Sequence, residues 1–222
     1  MNRFKILSER SWFTNPTTNN RQLGQFISKP TDAFYHSDYQ GRNEKIRNTI
    51  GTTENIICTL KNQFNDKSRD VLILAMKNLI TILQTDLPQI LLKTGKDHLY
   101  ICVIPRAKAQ KNYSKNQLLF KSVIALCIKS LKGFSDGTNY IIRHTNTRTT
   151  HMDRSGHGGD GDLPYPGITN KTCTISQEVK GKDILLIDDL YTKSINIDED
   201  AIQALLNHGA NSVIFYSIGK TI

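Results

Sequence analysis

Apolar positions along the chain follow two rhythms. Over residues 67–92, Val71, Leu74, Ala75, Leu79, Ile82 and Leu83 recur at three- and four-residue steps, the spacing that lines one face of a helix. A shorter helix is predicted over 54–64. From residue 99 onward, apolar runs of strand length alternate with helical patterns. Strands are predicted at 99–104, 140–143, 184–187 and 212–218, and helices at 116–131 and at about 198–207, the last stopped by Gly209. Such alternation predicts an α/β fold, a parallel sheet with helices on both faces. Ligands of these sheets bind at the carboxyl ends of the strands.

Residues 1–39 are polar and turn-rich, with Asn15-Pro16, Lys29-Pro30 and scattered aromatics of no clear period. Residues 1–98 are therefore expected to form a mainly helical N-terminal extension, and residues 99–222 the core. The stretch 145–173 carries Gly156, Gly158, Gly159, Gly161 and Gly167 with Pro164 and Pro166, which predicts a flexible loop acting as a lid.

With 222 residues, the chain is long enough to bury a full core. No apolar run approaches the roughly 20 residues that span a bilayer, and no secretory pattern opens the sequence, so a cytoplasmic protein without a membrane partner is expected. Cys58, Cys102, Cys127 and Cys173 form no C-x-x-C pair, which leaves scattered buried thiols rather than a zinc or redox motif. The formal charge is +9, and residues 89–172 hold thirteen Lys and Arg against five Asp and Glu. An excess concentrated in this way points to an anionic partner, a polyphosphate ligand ahead of nucleic acid.

The densest chemistry lies in ILLIDDLYTKSIN, residues 184–196. Asp188 and Asp189 follow four aliphatic residues, which places two carboxylates at the mouth of a buried strand, a costly arrangement unless a ligand or cation uses them. A P-loop ATPase would need G-x-x-x-x-G-K-[ST], and ahead of Gly95-Lys96 and Gly219-Lys220-Thr221 the first glycine's place is held by Ile90 and Ile214. A phospho-receiver domain would not fit in the 33 residues after Asp189. The residues Tyr191, Thr192, Lys193, Ser194, Ile195 and Asn196 bring hydroxyls, an amide and an ammonium group to the start of the next helix, whose backbone N–H groups favour an anion. A diol held by carboxylates beside a cradled phosphate describes a ribose 5-phosphate.

This segment resembles the phosphoribosyl-pyrophosphate motif of type I phosphoribosyltransferases. The resemblance implies that Asp188 and Asp189 hold the ribose hydroxyls and that Tyr191 through Asn196 form the 5-phosphate loop. Where the family usually reads T-T-G-x-T, this chain reads Thr192-Lys193-Ser194-Ile195-Asn196. Residues 103–108, VIPRAK, resemble the pyrophosphate loop, and Asn116-Gln117 with the Arg- and Thr-rich stretch from Arg143 to Arg154 are similar to the competence-associated amidophosphoribosyltransferase-like branch. The likeness covers about residues 100–220.

What the resemblance implies is transfer of a phosphoribosyl group to a nitrogen nucleophile with release of pyrophosphate. Mg²⁺ would be carried by the ligand rather than by protein side chains, and a homodimer is expected. Arg106 and Lys108 would be fixed partners of the pyrophosphate, Arg148 and Arg154 mobile ones, and Lys171 a weaker candidate. His144, His151 and His157 match no metal-ligand spacing. The alternative is a non-catalytic sensor of phosphoribosyl pyrophosphate or nucleotide, or a nucleic-acid-associated regulatory factor on the same fold.

Overall fold

A computed structural model describes residues 1–14, 20–41, 43–147, 167–193 and 195–222. Six strands form one sheet: β1 (Asn2–Ile6), β4 (Thr31–Tyr39), β10 (Ser212–Thr221), β9 (Asp183–Tyr191), β5 (Leu99–Val103) and β6 (Phe134–Asp136), in that spatial order. All neighbours in it run parallel except β1, which pairs antiparallel with β4 at one edge. Two further strand pairs stand apart, β2 (Arg10–Thr14) with β3 (Arg21–Gln25), and β7 (Ile141–Arg143) with β8 (Cys173–Ile175).

Both faces of the sheet are covered. On one side lie α2 (Thr53–Lys61), α3 (Arg69–Thr94) and α4 (Leu119–Ile128), which bury Ile56, Leu79, Leu83, Leu87 and Val123 against Ile101, Leu185, Ile187 and Tyr216. On the other, α5 (Ile197–Asn207) lays Ala201, Ile202 and Leu205 on Ile184, Leu186 and Phe215, beside the β7 and β8 pair. The architecture is α/β, with a mostly parallel mixed sheet between helical layers. A short α1 (Glu44–Asn48) precedes α2.

Local chemistry sets the helix ends. Thr52 caps α2, its hydroxyl accepting from the Asn55 N–H at 3.2 Å, and Asn62 closes that helix in the left-handed region at φ 39°. Gly95 stops α3 at φ 64°. The buried stripe of α3 is Leu72, Ala75, Leu79, Leu83, Leu87 and Ile90, so Val71 and Leu74, predicted on the core face, lie exposed instead. By length and apolarity α3 is the one described helix that could cross a membrane, but its stripe belongs to the core shared with the sheet.

The N-terminal region departs most from expectation. Residues 1–39 build strands, and two of these extend the central sheet, so the first 98 residues are not an extension attached to a finished core. In β4 the adjacent Ala33 and Phe34 are both buried because both faces are covered, which removes the alternation that would have marked the strand. The predicted strand at 140–143 exists as β7 but pairs antiparallel with β8, while the edge of the main sheet is taken by the three-residue β6. The predicted helix at 116–131 is a 3₁₀ turn, Lys115–Gln117, closed by a Ser114–Gln117 capping box, followed by α4.

Candidate functional site

The chain leaves β5 through α4 to β6 on one side and returns as β9 on the other, so β5 and β9 flank the switch point of the sheet. Clefts of α/β proteins form there, outside the carboxyl ends. The last backbone link between these strands is the Ile104 N–H to the Ile187 carbonyl, at 3.0 Å. Beyond it β5 turns away at Pro105 while β9 continues into Asp188 and Asp189.

Alternation along β9 sends the two carboxylates to opposite faces. Asp189 meets Lys61 at the end of α2, Nζ to Oδ2 3.0 Å. Asp188 meets Asp198 in the first turn of α5, the two carboxyls sharing a hydrogen bond, and its Oδ1 also accepts from the Asp189 N–H at 2.8 Å. Burial and the Asp189 charge push the Asp188 carboxyl up to about 7, with Lys61 acting in the other direction. Burial, then Asp188 and Glu199, raise Asp198 as well. Burial opposes the Lys61 charge, but Asp189 and Asp188 outweigh it and hold the ammonium above its ordinary value.

Unpartnered buried polar atoms gather around this pair. They include Asn62 Nδ2 beside Lys61, Thr192 Oγ1 after β9, Asp198 Oδ1 in α5, and Ser217 Oγ on β10, whose residue is the register partner of Asp188. Folded proteins rarely leave such atoms bare, which singles out this end of the sheet as polar and unsatisfied.

Residues 191–196 are held unequally. Tyr191 is part of the core: its ring packs 5.0 Å from Phe4 and 5.6 Å from Phe215, and its hydroxyl donates to Glu199 Oε1 at 2.9 Å. Burial, then Glu199, raise that hydroxyl's pKa. The Ile195 N–H closes a turn on the Thr192 carbonyl at 3.0 Å. Asn196 sits buried at φ 63°, and its Oδ1 accepts from Ser11 of β2 at 2.8 Å rather than capping α5. Asn196 therefore leaves α5 without a side-chain cap, while the first turn carries Asp198, Glu199 and Asp200 and the Glu199 carboxylate accepts from its own N–H. Lys193 is exposed, 4.0 Å from Glu9, and Ser194 lies outside the described residues.

Arg106 is built into the scaffold. Its Nη1 donates to the carbonyls of Lys61 at 2.5 Å and Gln117 at 2.7 Å, its Nη2 donates to Gln63 Oε1 at 2.7 Å, and its guanidinium stacks 4.4 Å from the Tyr113 ring centroid. It bolts the end of α2 to the loop after β5, so the structure gives it a positioning role where a ligand contact was expected. Lys108 lines a small cavity together with Arg143, and its N–H donates to the Tyr113 hydroxyl at 3.0 Å. Arg143 is 3% exposed, donates to the Gly167 carbonyl at 3.1 Å and leaves Nε without a partner. Burial lowers its pKa.

Both described ends of the 145–173 loop are tied to the site. Thr147 donates through its N–H to the Ala107 carbonyl at 2.7 Å, and the Gly167 N–H donates to Asp200 Oδ2 at 3.2 Å. Arg148, Arg154, His151 and His157 lie outside the described residues. His144 and Lys171 are exposed. The four cysteines are free, three of them buried, and no group of three metal-binding side chains occurs among the described residues.

Lys61, Asp198, Glu199 and Ser217 are the site residues that sequence reasoning missed. Acids in the first turn of a helix read as ordinary complements of its dipole, and a lysine ending a distant helix carries no signal of its own. No protein-family model matches the sequence and no curated protein matches it, so the role of the site rests on its chemistry.

Proposed function

We propose that the protein is a type I phosphoribosyltransferase that binds phosphoribosyl pyrophosphate and transfers its phosphoribosyl group to a nitrogen nucleophile. One observation carries the reading: Asp188 and Asp189 stand at the switch point among unpartnered buried polar atoms, whose hydrogen bonds a diol would supply. The uncapped start of α5 and the turn at Thr192–Ile195 supply the adjoining seat for a 5-phosphate.

In the reaction, the nitrogen lone pair forms a bond to ribose carbon 1 as the bond from that carbon to the pyrophosphate oxygen breaks. The electron pair leaves on the pyrophosphate, and the nucleophile gives up its proton. Asp188 and Asp189 hold the hydroxyls and fix the ring, and the departing pyrophosphate lies toward the loop after β5. Mg²⁺ carried on the phosphate oxygens of the ligand would supply charge neutralisation of the departing pyrophosphate.

Calorimetry with phosphoribosyl pyrophosphate and Mg²⁺ tests the pocket. Binding to the unaltered chain and its loss in Asp188→Ala and Asp189→Ala are expected; absence of binding sinks the proposal. A binding-only sensor is favoured by the internal commitment of Arg106, and pyrophosphate release with any nitrogen acceptor would reject it.

A further inference from the structure

A cleft of about 520 Å³ opens between the N-terminal segment and the carboxyl ends of β9 and β10, a volume that suits a small metabolite. Phe4, Ile6, Phe26 and Ile27 give it apolar walls, and Lys5, Arg10, Lys193 and Lys220 bring cations to it. Two of these are engaged, Lys5 at 3.6 Å from Asp32 and Lys193 at 4.0 Å from Glu9. The Lys220 ammonium lies over aromatic rings instead, 5.7 Å from the centroid of Phe4 and 5.4 Å from that of Tyr35. Neither Lys220 nor Arg10 has a carboxylate in ion-pair reach among the described residues.

A second observation points the same way. Glu199, 6% exposed, lines this cleft; one carboxylate oxygen accepts from Tyr191 and the other has no partner. A buried acceptor without a donor, on the wall of a cavity, is satisfied by a ligand N–H.

The cleft shares Tyr191, Lys193 and Asn196 with the loop assigned to the 5-phosphate, so a molecule seated in it lies beside the sugar. The loop after β5 contributes nothing to its lining.

We infer that this cleft is the site of the nitrogen nucleophile, and that the nucleophile is a small flat compound bearing its own anionic group. Arg10 and Lys220 pair with the anion, Phe4 packs against the flat body, and the free oxygen of Glu199 receives the N–H. The inference rests on the phosphoribosyltransferase reading, and it gives the N-terminal strands a chemical task.

Matched pairs of probes test it on the full chain: anthranilate against aniline, and orotate against uracil. Calorimetry is run with each alone and again with phosphoribosyl pyrophosphate and Mg²⁺. At least one acid is expected to bind about tenfold more tightly than its neutral counterpart, the scale of one charge-assisted contact. Arg10→Gln with Lys220→Gln is expected to erase that preference while phosphoribosyl pyrophosphate binds as before.

If no acid outbinds its counterpart, or the preference survives the double change, the inference is overturned while sugar binding through Asp188 stands. If Lys220→Gln weakens phosphoribosyl pyrophosphate itself, the cleft holds the phosphate end of the sugar and the inference falls. Failure of the unaltered chain to bind phosphoribosyl pyrophosphate overturns the underlying reading, separately from any acid preference measured without it.

Discussion

The Lys61 ammonium lies 3.0 Å from the Asp189 carboxylate, joining the end of α2 to the mouth of β9. Without it the site would hold Asp189, Asp188 and Asp198 in mutual repulsion. Lys61 also opposes the upward push on the Asp188 carboxyl. Lys61→Met should therefore move the protonation midpoint of Asp188 further above about 7. Calorimetric affinity for phosphoribosyl pyrophosphate, followed against pH, should show its rise displaced to more alkaline values. An unmoved midpoint would mean that Lys61 does not sense Asp188.

Asp188 is held in tension by burial and by the neighbouring Asp189 charge. Its folded carboxyl titrates at about 7, above the ordinary 3.8, so the unfolded chain ionises first as pH rises. The sign follows: its contribution to stability is fully present below about 4, is lost progressively as pH rises, and is gone above about 7. Asp188→Asn, which keeps a neutral group there, should raise the melting temperature at about pH 8, have little effect at about pH 4, and abolish sugar binding at both. A destabilised variant at the higher pH would contradict the assignment.

Asp86, buried in the core, behaves with the opposite sign. Asp86 on α3 accepts from the Tyr216 hydroxyl at 2.8 Å and bonds His36 Nδ1 at 2.9 Å. Burial would raise its pKa, but the His36 and Tyr216 hydrogen bonds prevail and lower it. Its stabilising contribution is present above the ordinary value near 3.8 and is lost as pH falls through the lower folded value. Removing one partner strands the others: Asp86→Ala should cost about 3 kcal/mol and Tyr216→Phe about 1–2 kcal/mol in urea unfolding. Equal costs would show that the tyrosine carries the network.

Arg106 should behave as a clamp. Arg106→Lys keeps the charge but supplies one point donor where the guanidinium reaches the carbonyls of Lys61 and Gln117 and the Gln63 amide. A loss of about 1–3 kcal/mol of stability is expected, with weaker ligand binding through the displaced Lys61. Hydrogen exchange at the end of α2 should quicken in the variant; unchanged exchange there would exclude the clamp.

Much of this arrangement was legible in the sequence, for a physical reason. Strands buried on both faces spell themselves out as aliphatic runs, as Ile184 through Ile187 do, and α5 announces itself by Ala201, Ile202 and Leu205 before Gly209. The position of Asp188 and Asp189 at the end of such a run was readable for the same cause. What escaped was whatever depends on chain segments meeting from afar. β4 hid because His36, Ser37 and Asp38 interrupt its apolar residues, the first of them drawn in by Asp86. Acids such as Asp198 and Glu199 at a helix start are ordinarily solvated, and only the folded structure shows them buried.

The place of β10 bears on how the chain folds as it is made. Of the six strands in the sheet it comes last in sequence, yet it lies inside, paired with β4 on one flank and β9 on the other. Until it is synthesised, a nascent chain carries two open strand edges that have no mate to close on. Such sequence-distant pairings slow folding and leave edges that recruit other chains. A chain halted before Ser212 is therefore expected to aggregate where one extended through Thr221 stays soluble, the cost of threading this strand through the middle of the sheet.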